Sequence, residues 1–289
     1  MEILLPVDES EASLQAVRYV VTRAARASLQ PLLLNVQRMP AQAWPQRGID
    51  PSVLERALYE QGEAQLRAAE AALAEAGIQA ERLVRIGPPA DTILEVAQAR
   101  RVGAIVMGTR GKGMLGGFAL GSVALRVATG ANCPVMLLKP EARIPTETPL
   151  RVVAPIDGSE ASQAALRHLA ALAPQLGPMH VHVVHYLPPL TFIEAVLPPH
   201  DDILQNWTGE AVAIAMDAAT QVLDEAGIAH ETHSFTADPG EGIANFAHDL
   251  NADLIAMAMH GGGNLRRLAF GSVTWKTVQL SRVPVLLMR

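Results

Sequence analysis

The sequence LLPVDESEAS at residues 4–13 returns as VAPIDGSEAS at residues 153–162. Each copy has an apolar run that ends at an aspartate, Asp8 or Asp157, and is followed at once by serines and a helix-favouring segment. A short apolar run of this kind predicts a buried strand, and the serines after it predict helix N-caps. The duplication indicates that one strand-to-helix unit is used twice.

Three other segments repeat at an offset of 149–150 residues. LAEAGI at 73–78 returns as LDEAGI at 223–228, ALGSV at 119–123 as AFGSV at 269–273, and CPVMLLK at 133–139 as VPVLLMR at 283–289. A period this long predicts two complete domains rather than a solenoid of short repeats. We place domain 1 at residues 1–140, a Pro/Thr/Glu-rich linker at 141–150 and domain 2 at 151–289.

Within the first half, short apolar runs alternate with helical patterns. The predicted strands are Ile3–Val7, Leu32–Val36, Leu83–Ile86, Ala104–Met107 and Val135–Leu138. The predicted helices are Ser10–Ser28, Pro51–Ala76, Ala90–Arg100 and Gly121–Gly130. Strands that are apolar on both faces and joined by helices indicate a parallel, doubly wound α/β sheet. Ligands bind such sheets beyond the carboxyl ends of the strands, where the winding reverses.

The composition is that of a globular protein. Of 289 residues, 49% are hydrophobic and 18% are charged. The first residues contain no basic region before an apolar one, so we expect no signal peptide. No run of about 18 uncharged apolar residues predicts a membrane span. The single cysteine, Cys133, excludes a disulfide within the chain and a cysteine zinc site, suits the reducing cytoplasm, and is expected to be a buried thiol.

The two halves differ in charge. Residues 1–140 carry 15 Lys and Arg against 13 Asp and Glu, whereas residues 141–289 carry 8 against 16. Neither half has a dense basic stripe with interleaved aromatic residues, so we expect no nucleic-acid partner. A small anionic ligand is better suited to the first half.

Residues 108–122 read GTRGKGMLGGFALGS and follow the fourth predicted strand. The part from Gly111 to Gly116 matches the G-x-G-x-x-G dinucleotide pattern, but that pattern should follow the first strand and precede an acidic residue about 20 positions on. Gly111-Lys112 is similar to the end of a P-loop, but Gly113 stands where the magnesium-binding Ser or Thr would be. We reject both interpretations.

Taken whole, the stretch is G-x2-G-x9-G-S, from Gly108 to Ser122. With Asp8 in PVDESEAS, the GPPADTI turn at 87–93 and the CPVMLL strand at 133–138, the chain resembles the universal stress protein family over its full length, as a tandem member. The resemblance implies two Rossmann-like domains of the adenine nucleotide alpha hydrolase type, each a five-stranded parallel sheet of order 3-2-1-4-5 flanked by helices. It also implies ATP as ligand, with Mg²⁺ or Mn²⁺ left open.

The physical properties of these residues agree with that resemblance. Glycines let backbone N–H groups approach phosphate, and a helix that begins at Gly121-Ser122 attracts anions at its N-terminus. Arg110 or Lys112 can neutralise charge, while the Asp8 carboxylate can accept hydrogen bonds from a ribose or an adenine amine. The expected site consists of Pro6, Val7, Asp8, Val36, Met107, Gly108, Arg110, Gly111, Gly121, Ser122 and Val123.

The second half departs from this pattern. Ala258 replaces Gly108, Met259 replaces Thr109, His260 replaces Arg110 and Gly262 replaces Lys112. We expect the alanine to place a methyl group where backbone and phosphate should touch, and we therefore expect weak or absent nucleotide binding in domain 2. The weaker candidate site there consists of Asp157, Tyr186, Gly261, Gly271, Ser272 and Val273.

Histidines in MHVHVVHYL at 179–187 are the other candidates for chemistry. His180 and His182 share one strand face, but the sequence offers no evident third ligand, so we expect no metal site. His185 aligns with Asn35, so His185 and Tyr186 are expected to line a vestigial pocket. No motif marks a catalytic residue, and we expect none.

The leading hypothesis is an ATP-binding stress-response or regulatory protein of the cytoplasm, in which bound nucleotide fixes the loop Gly108–Gly121. The alternatives are a slow ATPase or autophosphorylating enzyme, for which the sequence offers no obvious base near Ser122, and a nucleotide-independent interaction module. The resemblance also implies that Val135–Leu138 and Val285–Met288 pair in an internal pseudo-dimer, and a homodimer and an unidentified protein partner stay open.

Overall fold

The protein forms two compact units, Met1–Ile144 and Pro145–Arg289, called unit 1 and unit 2. The structure, a computed structural model, describes residues 1–24, 29–40, 50–111, 120–145, 147–187, 201–260 and 270–289, with backbone alone at 24 and 201–211. Ala142 lies in the expected linker, yet it is buried, and its carbonyl oxygen accepts a hydrogen bond from Gln15 Nε2 at 2.6 Å. The start of that segment therefore packs with unit 1.

Unit 1 alternates strands and helices. Its elements are β1 (Glu2–Pro6), α1 (Glu11–Ala24), β2 (Gln30–Gln37), α2 (Pro51–Glu75), β3 (Glu81–Ile86), α3 (Pro89–Arg100), β4 (Ala104–Gly108), α4 (Ser122–Gly130) and β5 (Val135–Leu138). The five strands are parallel and lie in the order β3-β2-β1-β4-β5. The predicted fold is confirmed, and the winding reverses between β1 and β4.

Unit 2 repeats the same arrangement. Its elements are β6 (Leu150–Pro155), α5 (Glu160–Leu176), β7 (Met179–Leu187), α6 (Asp201–Glu225), β8 (Ala229–Thr236), α7 (Pro239–Asp249), β9 (Leu254–Ala258), α8 (Ser272–Leu280) and β10 (Val285–Met288). These strands are also parallel, in the order β8-β7-β6-β9-β10. The switch point in this unit lies between β6 and β9.

The local sequence explains where these elements begin and end. β4 and β5 are buried at every position, as strands covered on both faces must be. Asp50 caps α2 by accepting a hydrogen bond from Ser52 N–H at 2.9 Å, with Pro51 at the first helical position. Gly77 ends α2 with a positive φ of 73°, which glycine adopts without a Cβ clash. Residues 25–28, the last part of the first predicted helix, lie outside the described residues.

Cys133 is half-buried rather than fully buried, because it lies two residues before β5 begins. Burial raises the pKa of its thiol, which keeps the thiol protonated and a poor nucleophile.

Among the described residues, no helix has both the length and the apolar character needed to cross a bilayer.

Candidate functional site

The Asp8 carboxylate is fixed where β1 passes into α1. Its Oδ1 accepts hydrogen bonds from Ser10 N–H at 3.1 Å and from the Ser10 hydroxyl at 2.6 Å. Glu9 between them has a positive φ of 61°, so the chain turns sharply here. The hydroxyl oxygen of Ser10 also accepts a hydrogen bond from Ser13 N–H at 3.2 Å. Ser10 is therefore the N-cap of α1, as the sequence predicts.

Glycines at 108 and 111 allow the chain after β4 to lie close to these residues. A Cβ on Gly111 would lie 2.5 Å from Asp8 Oδ2, so only glycine leaves room for the carboxylate in this position. A Cβ on Gly108 would lie 2.6 Å from the Cβ of Ala12. The expectation that a methyl group at position 108 would meet a phosphate is wrong, because it would meet helix α1.

The N-terminus of α4 lies on the other side of the switch point. Gly121, in extended conformation, precedes the helix and donates its N–H to the carbonyl oxygen of Thr109 at 2.8 Å. Ser122 and Val123 then form the first turn, where backbone N–H groups have no partner within the helix. These groups and the helix dipole make this end favourable for an anion. Lys112, in the stretch between, lies outside the described residues.

A network of side-chain amides lies at the end of β2. Asn35, fully buried, donates from Nδ2 to the carbonyl oxygen of Val7 at 2.8 Å and to Gln65 Oε1 at 2.9 Å. Gln37 donates from Nε2 to Asn35 Oδ1 at 2.7 Å and to Gln65 Oε1 at 2.9 Å. The network links β1, β2 and α2, and holds Gln37 and Gln65 at the cavity described next.

One cavity of about 670 Å³ brings these parts together in unit 1. Each of the eleven residues predicted for the first site lines it: Pro6, Val7, Asp8, Val36, Met107, Gly108, Arg110, Gly111, Gly121, Ser122 and Val123. Prediction from the sequence missed other polar lining residues, which are Ser13, Gln37, Arg38, Gln61, Gln65 and Thr109. Gln37, Arg38 and Thr109 directly follow or end buried strands, and that position was the available signal.

Thr109 is the most informative of the missed residues. Only 4% of its surface is exposed to solvent, and it lines the cavity. Its Oγ1 makes no hydrogen bond to any residue that the structure describes. A buried hydroxyl without a partner is unfavourable, so a polar group in the cavity would satisfy it.

The corresponding cavity in unit 2 has a volume of about 280 Å³. Five of the six residues predicted there line it, namely Asp157, Tyr186, Gly271, Ser272 and Val273, while Gly261 lies outside the described residues. Asp157 repeats the turn of Asp8, because its Oδ1 accepts hydrogen bonds from Ser159 N–H at 3.0 Å and from the Ser159 hydroxyl at 2.5 Å.

Tyr186 changes the character of the second cavity. It stands where unit 1 has Val36, and its hydroxyl donates to the carbonyl oxygen of Gly242 at 2.8 Å. A Cβ on Gly242 would lie 2.3 Å from the tyrosine ring, so the ring packs directly on α7. Burial, with a smaller effect of the Asp249 charge, raises the pKa of Tyr186 to about 12, and the phenol stays neutral.

His185 takes the structural role of Asn35. Its Nδ1 lies 2.7 Å from the carbonyl oxygen of Ile156, the counterpart of Val7. It is buried but does not line the second cavity, whereas Tyr186 does. The expectation that both residues line a vestigial pocket therefore holds for Tyr186 but not for His185, which instead contacts the backbone just after β6.

Comparison with known proteins gives a consistent picture. The model of the universal stress protein family matches residues 1–139 and 150–289. A universal stress protein of Mycolicibacterium smegmatis is 26% identical over 291 residues, which cover 99% of this chain and 96% of the relative. One of Methanocaldococcus jannaschii is 32% identical over 139 residues, covering 48% of this chain and 81% of the relative.

Solved structures agree on the fold. The crystal structure of a universal stress protein from Archaeoglobus fulgidus covers 100% of this chain and 96% of its own, with a TM-score of 0.67 and 22% identity. A universal stress protein in complex with cAMP covers 48% of this chain and 96% of its own at a TM-score of 0.38 and 25% identity, a likeness too low to argue from. Because the family match spans both halves, the chain belongs to the universal stress protein family, as a member with two tandem domains.

Proposed function

We propose that unit 1 binds an adenine nucleotide, with ATP as the first candidate, and acts as a nucleotide-dependent regulatory module in the stress response. The observation that carries this proposal is the cavity of about 670 Å³ at the switch point of the sheet. Ligand sites in proteins usually have volumes of about 300–1,000 Å³ and occur at such switch points. Asp8, Thr109 and the N-terminus of α4 supply its polar wall.

The α4 side of the cavity suits phosphate groups. Gly121, Ser122 and Val123 offer the N-terminus of a helix to an anion, and Arg110 adds a positive charge to the same wall. The hydroxyl of Thr109 can donate to a phosphate oxygen and would thereby gain the partner that it lacks within the described chain.

The β1 and β2 side suits a nucleoside. Asp8, already aligned by Ser10, is an acceptor for ribose hydroxyls or an adenine amine. Gln37 and Gln65 present amide groups at the same wall, and Leu34, Val36 and Ile93 give it apolar surface. A planar base with polar edges matches this combination of surfaces.

A divalent metal can accompany the nucleotide without a dedicated protein site. Asp8 is the one acidic residue among the described residues that line the cavity. Mg²⁺ is commonly held by substrate phosphates and one or two carboxylates, and keeps several waters. Asp8 would be the protein group that contributes to such an ion, whose identity stays open.

For unit 2 we propose weak or absent nucleotide binding. Its cavity of about 280 Å³ lies just below the usual range of ligand-site volumes, and Tyr186 stands where unit 1 has Val36. Met259 stands where unit 1 has Thr109, so the hydroxyl proposed to bind phosphate is missing. The local positive charge of Arg110 is also replaced, by His260.

The experiment is a comparison of melting temperatures with and without ATP, with guanosine triphosphate as the comparison nucleotide. We expect ATP to raise the melting temperature of the wild type, because a ligand that binds only the folded state stabilises it. Asp8→Ala should abolish the shift. The matched control is Asp157→Ala, which removes the same carboxylate and the same serine contacts from unit 2.

Two outcomes would count against the proposal. Wild-type protein that neither retains nucleotide through purification nor shifts with ATP would contradict it. Equal loss of the shift in the Asp8 and Asp157 variants would contradict the assignment to unit 1.

Two expectations about the surroundings of the protein stay predictions. From the resemblance we propose that β5 and β10 pair, which predicts that isolated residues 1–144 dimerise through an uncovered sheet edge. Sedimentation of that fragment tests this, and a monomer at all concentrations would contradict it.

A cytoplasmic location is proposed from the single free cysteine, and fractionation of cells tests it.

A further inference from the structure

Three histidines and a glutamate lie together on one face of unit 2, away from the proposed nucleotide site. His180 and His182 alternate along β7, and Glu231 and His233 alternate along β8. The two strands are paired in register, with His182 opposite Glu231 and Val184 opposite His233. Because side chains two residues apart share a face, this register brings all four groups to the same side of the sheet.

The ligand atoms of these residues are close to one another. His182 Nδ1 lies 3.1 Å from His233 Nε2, and His180 Nε2 lies 3.4 Å from Glu231 Oε1. Glu231 Oε2 lies 3.9 Å from both His182 Nδ1 and His233 Nε2. One ligand atom from each of His180, His182 and Glu231 can be chosen so that all three lie within 4.8 Å of one another.

These separations suit a tetrahedral zinc ion. Zinc binds histidine nitrogen and carboxylate oxygen at about 2.0–2.2 Å, so neighbouring ligand atoms around it lie about 3.3–3.6 Å apart. The distances of 3.1–3.9 Å between these atoms bracket that range. A hydrogen bond between two imidazoles accounts for the contact of His182 with His233, but not for the approach of His180 and Glu231 to the same group.

The surroundings would hold such ligands in place. His233 packs against Phe246 of α7 with ring centroids 4.9 Å apart, and His182 meets the same ring edge-on at 6.2 Å. His180 Nε2 is shielded from solvent and, within the described chain, makes no hydrogen bond. Arg151 is a cation close enough to act on His182, and Asp253 Oδ2 lies 3.8 Å from its Nε, which offsets its charge.

We propose that His180, His182, His233 and Glu231 form a binding site for a divalent transition metal, with zinc as the expected ion. Imidazole ligands favour zinc and its neighbours over Mg²⁺, which prefers oxygen ligands throughout. None of the four residues lines the cavity at Asp157 and Tyr186, so the site is separate from the nucleotide-like cavity of unit 2. The expected absence of a metal site rested on two ligands, and the structure supplies the two others from β8.

The test is a Zn²⁺ titration of full-length protein freed of metal with a chelator. Calorimetry should give one Zn²⁺ per chain, and about 1 mM Mg²⁺ should not compete, because magnesium binds weakly to imidazole. Glu231→Gln, which changes a largely exposed side chain, should weaken Zn²⁺ binding by at least about 10-fold. His233→Asn should weaken it by a similar factor or more.

The matched control is His230→Asn, because His230 is next to Glu231 on β8 but points to the other face. It should leave the Zn²⁺ affinity unchanged, and circular dichroism should show that all three variants are folded. Absence of saturable Zn²⁺ binding by the wild type would overturn the proposal. Equal weakening by His230→Asn, or displacement of Zn²⁺ by Mg²⁺, would overturn it as well.

Discussion

At the scale of single residues, Asp8 and Asp157 are nearly equivalent, and the difference between the units comes from the residues that follow β4 and β9. Both aspartates accept the same two hydrogen bonds from a serine two residues on. Thr109 follows β4, whereas the apolar Met259 follows β9. The carboxylate alone therefore does not distinguish the cavities, and the adjoining polar group does.

Thr109→Val separates the two roles of this position. Valine keeps the shape of threonine but removes a buried hydroxyl that lacks a partner in the described chain. We expect the free energy of unfolding of the nucleotide-free protein to rise by about 1 kcal/mol, because an unsatisfied buried polar group is removed. The affinity for ATP should fall by about 10-fold, the value of one hydrogen bond of about 1.4 kcal/mol.

Urea denaturation and calorimetry measure these two quantities. A fall in stability on Thr109→Val would show that the hydroxyl has a structural partner instead. Unchanged ATP affinity would remove Thr109 from the proposed site.

Gly111→Ala tests the contact between the loop and the carboxylate. The new Cβ would lie 2.5 Å from Asp8 Oδ2, so the carboxylate must move. We expect ATP binding to weaken by about 10-fold or more, since a displaced acceptor loses its hydrogen-bond geometry. The free energy of unfolding should fall by no more than about 1 kcal/mol, because the side chain that moves is partly exposed. ATP affinity equal to that of the wild type would contradict this role for Asp8.

At the scale of elements, helix N-caps were the most predictable features. Asp50-Pro51 begins α2 as expected, and Ser10 and Ser159 begin α1 and α5. These signals are local, because a cap and its partner lie two or three residues apart. Gln65 could not be predicted in this way, since it reaches the end of β2 only through the packing of α2 on the sheet.

Asp238 gives a test of capping with a pH dependence. Its carboxylate accepts a hydrogen bond from Glu241 N–H at 3.0 Å and lies 3.0 Å from Lys276 Nζ, and these contacts lower the pKa of Asp238. Asp238→Ala should lower the free energy of unfolding by about 1 kcal/mol at neutral pH. Asp238→Asn keeps an oxygen acceptor for the cap and should lower it by less.

The sign of the pH effect follows from the lowered pKa. The charged carboxylate stabilises the folded state above its ordinary pKa of 3.8, and this contribution is lost as the pH falls through the lower folded value. The difference in unfolding free energy between wild type and Asp238→Ala should therefore shrink below pH 3.8. A difference that grows on acidification would contradict the prediction.

At the scale of the whole molecule, the repeat and the alternating apolar runs were sufficient to predict two copies of one parallel sheet, and the family resemblance implied the strand order. Offsets of 149–150 residues and alternating apolar runs depend only on position along the chain. The cavity volumes could not be predicted, because they depend on how Tyr186 packs on α7 and how Gln37 meets Gln65. The histidine cluster was missed because its residues come from two neighbouring strands, and only the register of that pairing, which the sequence did not reveal, brings them together.

The measurement that tests the central claim most directly is the stoichiometry of ATP binding, determined by calorimetry on the full-length chain. We predict one ATP per chain, unchanged in Asp157→Ala and lost in Asp8→Ala, because the larger cavity with Thr109 and Arg110 belongs to unit 1. Two equivalent ATP molecules per chain, or binding that survives Asp8→Ala but not Asp157→Ala, would contradict it.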